Sequence, residues 1–567
     1  MHLGGAELFI HRRSMFNPDV LWLGPLTDLP LFLAIGGATY LLLRRRYPRH
    51  ALLLAAAVLL FLGAFEPLVI LTTRLQMPAV IILAAGIAAA FTRLIFADEK
   101  RAIIWLRRLA IVELTVCAAG GLVLHAARFV GERNKIAALG NPTPGAPNVI
   151  LIVLDAVRAP DVGTYGNSRR NTPFLDHVAS EGAVFRHAYA NTTWTLPSHA
   201  SFFTGRYPIE LRADWLNPFE SGPRTLAEYF DARGYRTAAF SANLGYVARG
   251  FGLDRGFQHF SDFEPTLSEA LRANSILTRV VVAIDEIFGT PWYVGYKPAT
   301  RVTSDALRWA GTQTRPFFMY LNYFDAHSPH IPPAPYDTLY SGHPRHFRSF
   351  GDLDVSSRRP VGRSARLAEL RQGYDAAIAY EDAEIRRLFG GLQAAGLLQN
   401  AIVVITSDHG DLFGEYGLIQ HGNSLYPLLL HIPLIAYAPG RVPADTAIVT
   451  PVSLRDLPAT LAQLSGDTAS RFPGTPLLSR QSAARGGPTQ PSPIFSTLSK
   501  FPGVSIGPNA RGAMRSLIAG RWQYIHNGDG VEELYDVGDS LATTNLAGRA
   551  EYADTLRAMR ERISRLP

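Results

Sequence analysis

The sequence predicts an α/β body behind an N-terminal bundle of four transmembrane helices, with a small antiparallel subdomain at its C-terminal end. Three observations carry this expectation. Long apolar stretches crowd the first 130 residues, β-branched apolar runs alternate with helical patterns through the middle, and short alternating strands follow residue 510. Apolar strands separated by helices build sheets that are covered on both faces.

The apolar stretches lie at roughly 20–43, 51–73, 78–97 and 109–127. Each is close to the ~20 residues a helix needs to cross the hydrocarbon core. Runs such as "ALLLAAAVLLFLGAF" have no polar face to offer water. The first connection carries Arg44, Arg45, Arg46 and Arg49, and the third carries Lys100, Arg101, Arg107 and Arg108. The second has Arg74 alone. The positive-inside bias then places loops one and three in the cytoplasm, against the pull of Arg128, Arg133 and Lys135. The N-terminus and everything after residue 130 fall outside, the arrangement of a multi-pass protein of a bacterial inner membrane with a periplasmic or extracellular body.

Residues 1–135 hold 15 Lys and Arg against 8 Asp and Glu, so nearly all of the net charge of +8 belongs to the membrane region. The remainder is close to neutral and carries no nucleic-acid charge footprint. The one cysteine, Cys117, lies in the fourth apolar stretch, which excludes a disulfide within the chain and thiol chemistry in the body.

Residues 131–147, "GERNKIAALGNPTPGAP", read as a linker rich in Pro, Gly and small residues. The expected domains are 1–130 in the membrane, the linker, a main α/β domain over 148–505 and a C-terminal sheet-and-helix subdomain over 506–567. In the main domain, "NVILIVLDAVR" has the composition of a central parallel strand. Similar runs recur at 316–327, 401–410 and 431–440, with helical patterns such as "RTLAEYFDARG" and "RSARLAELRQGYDAAIAYEDAEIRRLFGGLQAAG" between strands. "MRSLIAGRWQYIHNGDGVEELYDV" then supplies short strands about a Gly-bearing turn, before a final helical pattern.

Three strand ends finish in acids or imidazoles: Asp155, Asp325 with His327, and Asp408 with His409. Ligands of open α/β sheets bind beyond the carboxyl ends of the strands. Asp408 and His409 can present a carboxylate and an imidazole to one metal if Gly410 lets the backbone turn sharply. Together with Asp155 and a hydroxyl from "NTTWTLPSHASFFTG", they make a four-point site whose Asp and His donors suit Zn²⁺ or Mn²⁺ better than Ca²⁺ or Mg²⁺. In that stretch Thr195 can be a nucleophile or the N-cap of a helix starting near Ser198, and His199 a site residue or a structural imidazole.

"NVILIVLDAVRAPDVGTYGNSRRNTPFLDHVASEGAVFRHAYANTTWTLPSHASFFTGRYP" resembles the N-terminal half of the sulfatase family, within the alkaline phosphatase superfamily. The likeness continues through "GYRTAAFSANLG", "YLNYFDAHSPHIPP", "ITSDHGDLFGEYGLIQHG", "IPLIAYAPG", "LRDLPATLAQLSG" and "ELYDVGDSLATTNLAG". It implies a mixed central sheet flanked by helices, with the antiparallel subdomain after it. By position it implies that Asp155, Asp408 and His409 are metal ligands and that Thr195 stands at the nucleophile, where sulfatases keep the Cys or Ser converted to formylglycine. His199 falls where the family has an Arg, Asn243 near its Lys-x-His pair, His327 at a substrate or leaving-group His, and His421 where many members have a Lys. Ala156 replaces the second Asp of the usual tandem pair, and Asp161 lies too far along to stand in for it.

A formylglycine hydrate expels sulfate by collapsing to its aldehyde. A threonine ester has no such exit, so water or another acceptor must attack the transferred group, which suits phosphorus better than sulfur. "TLPSH" is similar to the Thr motif of nucleotide pyrophosphatases/phosphodiesterases, and a Thr nucleophile behind membrane helices resembles lipoteichoic acid synthases and phosphoethanolamine transferases. The expected protein is a metal-dependent phosphodiesterase or phosphotransferase without formylglycine, acting on membrane lipid head groups or envelope glycans. Thr195, His199 and His327 are its expected catalytic residues, His199, Asn243, His327 and His421 its substrate-binding residues, and Thr195 joins Asp155, Asp408 and His409 as an expected metal ligand. The alternatives are a sulfuric ester hydrolase, a non-catalytic membrane scaffold or sensor, and, within the site, a second metal on Asp325, His327 and His421.

Overall fold

The computed structural model describes residues 19–48, 50–71, 76–214, 217–219, 221–262, 297–342, 365–478, 492–500, 507–538 and 542–566. Arg49 and Arg74 of the topology argument, and the expected boundary between 505 and 506, lie outside them. The described chain forms two compact units, one up to Asn134 and one from Lys135 onward.

The first unit contains helices α1 (Val20–Leu43), α2 (Ala51–Leu71), α3 (Met77–Ala97) and most of α4 (Glu99–Ala137). Trp22–Leu43, Met77–Ala97 and Arg107–Ala137 are long and apolar enough to cross a membrane. The second of the four expected spans is helical, but its described apolar part, Ala51–Phe65, is shorter than a span, so three candidates stand where four were expected. Leu42 is 80% exposed and Ile82 and Leu122 each 72%, surface that water would not favour. Gly36 against Leu59 and Gly121 against Trp22 let the helices approach closely, since a Cβ at either would fall within 3 Å of the facing side chain. Arg128 pairs at 2.8 Å with the buried Asp19, which also accepts from Trp22 Nε1. α4 continues through the first seven residues of the expected linker, because after Gly131 "ERNKIA" offers mostly good helix formers and no linker proline precedes Pro142.

In the second unit the strands are β1 (Asn148–Leu154), β2 (Ala183–Phe185), β3 (Ala188–Tyr189), β4 (Arg236–Ser241), β5 (His259–Ser261), β6 (Phe317–Tyr323) and β7 (Ala401–Thr406). There follow β8 (His431–Ile432), β9 (Leu434–Tyr437), β10 (Thr446–Ile448), β11 (Val452–Ser453), β12 (Ile494–Leu498), β13 (Met514–Ala519), β14 (Trp522–His526) and β15 (Glu532–Asp536). Eight of them make a mixed sheet in the order β10-β2-β9-β7-β1-β6-β4-β5, with β9 antiparallel to both neighbours and the other contacts parallel. The run 431–440 divides at Pro433, which has no N–H for a ladder: β8 joins β3 and β11 in a three-stranded sheet, and β9 joins the large one.

Both faces of the large sheet are covered. Ile150, Ile152 and Leu154 of β1, with Phe317, Met319 and Leu321 of β6, pack with α5 (Pro173–Ser180), α7 (Ala299–Ala310) and α8 (Ala365–Ala394). On the other face Phe318 stacks on Phe230, and Tyr320 meets His199 and Phe203 of α6 (Thr195–Thr204). β12 to β15 form the antiparallel C-terminal sheet, closed by α10 (Ala553–Ile563); α9 (Leu457–Leu464) precedes it. The sheet takes its first strand from residues 494–498, ahead of the expected start at 506.

Candidate active site

Four adjacent parallel strands, β7, β1, β6 and β4, bring their carboxyl ends to one edge of the sheet. Asp408 and His409, Asp155, Asp325 and His327, and Asn243 follow those ends in turn. One ligand atom from each of Asp155, Asp408 and His409 lies within 4.8 Å of the others, and all three residues are buried. Asp155 Oδ2 accepts from Asn243 Nδ2 at 2.9 Å and from Asn322 Nδ2 at 3.4 Å. Asp408 Oδ1 accepts from the backbone N–H groups of Ala156 (3.1 Å) and His409 (2.9 Å). The remaining oxygens, Asp155 Oδ1 and Asp408 Oδ2, are buried without a hydrogen-bond donor.

Burial, and then the neighbouring Asp408 charge, pushes the Asp155 carboxyl up to about 6; burial pushes Asp408 up to about 7. Burial also lowers His409, whose Nδ1–H donates to Gly410 O at 3.0 Å. That bond leaves the Nε2 lone pair facing the carboxylates, 3.3 Å from Asp408 Oδ2. Two donorless carboxylate oxygens and one oriented imidazole nitrogen fit a divalent cation that keeps an open position. Gly410 is required by space rather than by a left-handed turn: a Cβ there would lie 2.4 Å from Leu428 O.

Thr195 is the first residue of α6. The N-cap is the extended Trp194, and it makes no side-chain cap bond, so Thr195 Oγ1 is not used in capping. Oγ1 stands 3.3 Å from His409 Nε2. Ser198 Oγ ties the helix to the loop after β7 by donating to Asp408 O at 2.8 Å. The helix N-terminus favours negative charge beside Thr195, and Pro197 suits its first turn.

The other expected site residues divide. His327 is half-buried on Phe324, its Nδ1 bonded to Ser328 O at 3.0 Å, leaving Nε2 available to a ligand. His421 lies between His409 and His327, with ring centroids 4.3 and 4.9 Å away. Its Nδ1 is held by Asp411 Oδ1 at 3.2 Å, and burial, then the neighbouring His409, pushes it down to about 3. Asn243 points its amide at Asp155 and fixes its own loop by accepting from Gly245 and Tyr246 N–H. His199 is fully buried and pushed by burial down to about 3; one ring nitrogen bonds Thr195 O (2.8 Å) and the other Tyr320 Oη (2.7 Å). Both nitrogens are therefore committed inside the fold, and this imidazole supports Thr195 from behind.

Asp325 accepts from Ala299 N–H at 2.9 Å and so faces the start of α7. Among the described residues no metal cluster of Asp325, His327 and His421 forms; Asp325 Oδ2 is engaged with that helix, and its Oδ1 is buried without a hydrogen-bond donor. Asp161 is held by Arg158 and Arg371 instead of replacing the missing tandem acid. Ala156 takes a left-handed φ of 66°, held by Tyr374, which donates to Ala156 O and accepts from Arg158 N.

Three further residues serve the site beyond those the sequence assigned to it. Asn322 bonds Asp155 and Asn243 N, Tyr320 bonds His199, and Asp411 fixes His421. An Asn inside the apolar run "FFMYLNYF" was the available signal for the first.

This fold and site define a hydrolase class, and sequence comparison names it. The family model "Sulfatase" matches residues 147–467, and the chain belongs to the sulfatase family. It is 27% identical over 350 residues to iduronate 2-sulfatase of Homo sapiens, covering 53% of this chain and 61% of that protein, under two thirds of its length. Arylsulfatase K of Canis lupus familiaris is 27% identical over 474 residues, covering 76% of this chain and 84% of that one. In fold it resembles the phosphonate monoester hydrolase of Agrobacterium radiobacter, with a TM-score of 0.57 at 20% identity over 74% of this chain and 95% of that one.

Proposed function

We propose that the protein is a membrane-anchored, metal-dependent phosphodiesterase or phosphotransferase with Thr195 as nucleophile, acting at the outer surface of a bacterial inner membrane on lipid head groups or envelope glycans. The observation that carries this reading is Thr195 Oγ1 at the helix start, 3.3 Å from His409 Nε2 and free of any capping role. A divalent cation on Asp155, Asp408 and His409, Zn²⁺ or Mn²⁺ by donor type, would supply the positive charge that lowers the pKa of the Thr195 hydroxyl.

The chain's own groups divide the remaining tasks. Asn243 and Asn322 orient Asp155, and the Tyr320–His199 pair fixes the Thr195 backbone. Thr195 attacks phosphorus as its hydroxyl proton passes to His327 Nε2, and the bond to the leaving group breaks as that proton is returned to the departing alkoxide. The threonine ester is then broken by water or an acceptor alcohol. Because Asp411 holds the Nδ1 side of His421, Nε2 presents its lone pair as a hydrogen-bond acceptor that orients that nucleophile, whose proton leaves with solvent. Asn243, His327, His421 and the helix N-terminus surround the transferred group with hydrogen-bonding groups and no fixed side-chain cation. A site of that kind matches a diester monoanion better than a monoester dianion.

Sulfate ester hydrolysis is the competing reading, favoured by the names of the relatives found. The test is turnover of bis-p-nitrophenyl phosphate and p-nitrophenyl sulfate by the full-length protein in detergent. Metal-dependent diester cleavage is expected, falling by about 10³-fold or more in Thr195→Ala. An active Thr195→Ala protein rejects the nucleophile. Preference for the aryl sulfate rejects phosphorus, and absence of turnover with every metal supports a scaffold or sensor.

A further inference from the structure

A second buried acid, Glu381 from the middle of α8, stands behind Asp325. Glu381 Oε1 accepts from the N–H of Ala326, the residue immediately before His327, at 2.9 Å. Ala326 O accepts from His330 Nδ1 at 2.8 Å, so this residue is held at both its N–H and its carbonyl. Asp325 Oδ2 accepts from the Ala299 N–H at the start of α7. α7 and α8 are joined at the same place, because Tyr380 Oη accepts from the Thr300 N–H at 3.0 Å. Each of the two carboxyl groups keeps one buried oxygen without a donor, Asp325 Oδ1 and Glu381 Oε2. The Asp325 N–H acts on both groups, which sets them side by side.

We propose that Glu381 is a positioning residue for His327, clasping its loop as a neutral acid that donates Oε2–H to Asp325 Oδ1. Two ionised carboxylates side by side in the interior repel each other, and one proton between them removes that cost. Burial raises both groups, and the adjacent Asp325 charge makes Glu381 hold its proton the more tightly. The N-terminus of α7 favours Asp325 as the partner that keeps the charge. The other charges acting on the pair are acids too, Glu384 on Asp325 and Asp155 on Glu381. Tyr380 and Tyr323, which also face it, are pushed up by burial and stay neutral. A single proton thus satisfies both bare oxygens and ties the His327 loop to α7 and α8 together. His327 Nε2 is thereby presented to Thr195 and the leaving group, a role that rests on the proposed function.

Infrared spectra of the metal-loaded, full-length protein in detergent test the proton. At about pH 8 ordinary carboxyl groups are ionised, so a protonated-carboxyl band that weakens in Glu381→Gln is expected. Turnover tests the positioning, with bis-p-nitrophenyl phosphate and with diphenyl phosphate, whose poorer leaving group needs protonation more. Glu381→Gln keeps one acceptor and one donor, so it should retain nearly the native kcat on both esters. Glu381→Met, of similar shape without the hydrogen bonds, should lose about tenfold or more in kcat on diphenyl phosphate. Its loss on the nitrophenyl ester should be smaller, and KM should change little on either. A merely structural acid would lower both rates in the same proportion. If Glu381→Met does not fold, Glu381→Asp, whose reach is one methylene short, takes its place and should show the same split. Equal losses on the two esters, a Gln variant as impaired as the Met variant, or a carboxyl band unchanged in Glu381→Gln overturns the proposal. Should the native protein prefer sulfate, p-nitrophenyl and phenyl sulfate read the same split, so a failed phosphorus reading does not decide this one. An active Thr195→Ala protein would reject the nucleophile and leave the leaving-group split in force. Absence of all turnover overturns the positioning role together with the proposed function.

Discussion

Asp155 and Asp161 lie six residues apart on the same loop after β1, and both are buried, at 0% and 2% exposure. Their surroundings differ completely. Asp161 is met by two guanidiniums, Arg158 and Arg371, and Arg158 is itself buried beneath Phe413 and paired with Glu415 at 2.8 Å. Asp155 is met by two amides and a second carboxylate, and one of its oxygens has no donor. An ion taken from water must be compensated. The protein pairs Asp161 with its own side chains, although burial still pushes that carboxyl up to about 6, so the cluster is structural. Among the described residues it gives Asp155 and Asp408 no guanidinium or ammonium partner, and that cluster fits a cation from outside.

The largest effects test that distinction in opposite directions. Asp155→Asn should abolish metal binding and reduce turnover by about 10³-fold or more, while the metal-free protein becomes more heat-stable, because an uncompensated charge has left the interior. Metal content by mass spectrometry and thermal midpoint with and without EDTA check both halves; a lower metal-free midpoint breaks the comparison. Arg158→Leu should instead destabilise the protein by about 3–5 kcal/mol in either metal state, because Asp161 loses a buried partner. Its metal affinity should change far less than its thermal midpoint. Equal losses in the two would show that the clusters act as one.

The sequence reveals which cluster is which only in part. Acids directly after β-branched apolar runs mark the sheet edge, because a strand that ends at its polar residue must present it there. That made Asp155, Asp408 and His409 legible. It did not make Asp325 legible, since an acid at a strand end can equally turn to the next helix, as Asp325 does toward Ala299. His199 was ambiguous for a related reason: both its partners, one four residues along and one on β6, appear only once α6 lies on the sheet. Asp411 and Asn322 escaped because their meaning is a hydrogen bond to a side chain already in the site. Helix continuation through 131–137 was masked by the Pro and Gly that come after it.

The smallest effect is one of pH, and its dependence on bound metal separates this site from the Asp161 cluster, whose carboxyl burial also pushes up to about 6. Asp155 and Asp408 are pushed up to about 6 and about 7, above the ~4 of an unfolded Asp. Between about pH 4 and pH 7 the folded metal-free protein therefore holds protons that the unfolded chain has released, so its stability falls as pH rises through that window. Above it the penalty is constant. A bound cation removes the reason for the raised values, so the metal-loaded protein should not lose stability over the same window. The gap between loaded and stripped thermal midpoints, measured at matched free metal, should thus widen by a few kcal/mol-equivalents from pH 5 to pH 7.5 and then level off. The Asp161 cluster, already paired with Arg158 and Arg371, would contribute equally to both forms. A gap that stays flat with pH would mean that the carboxylates of the sheet edge are satisfied without metal, and the contrast between the two aspartates would collapse.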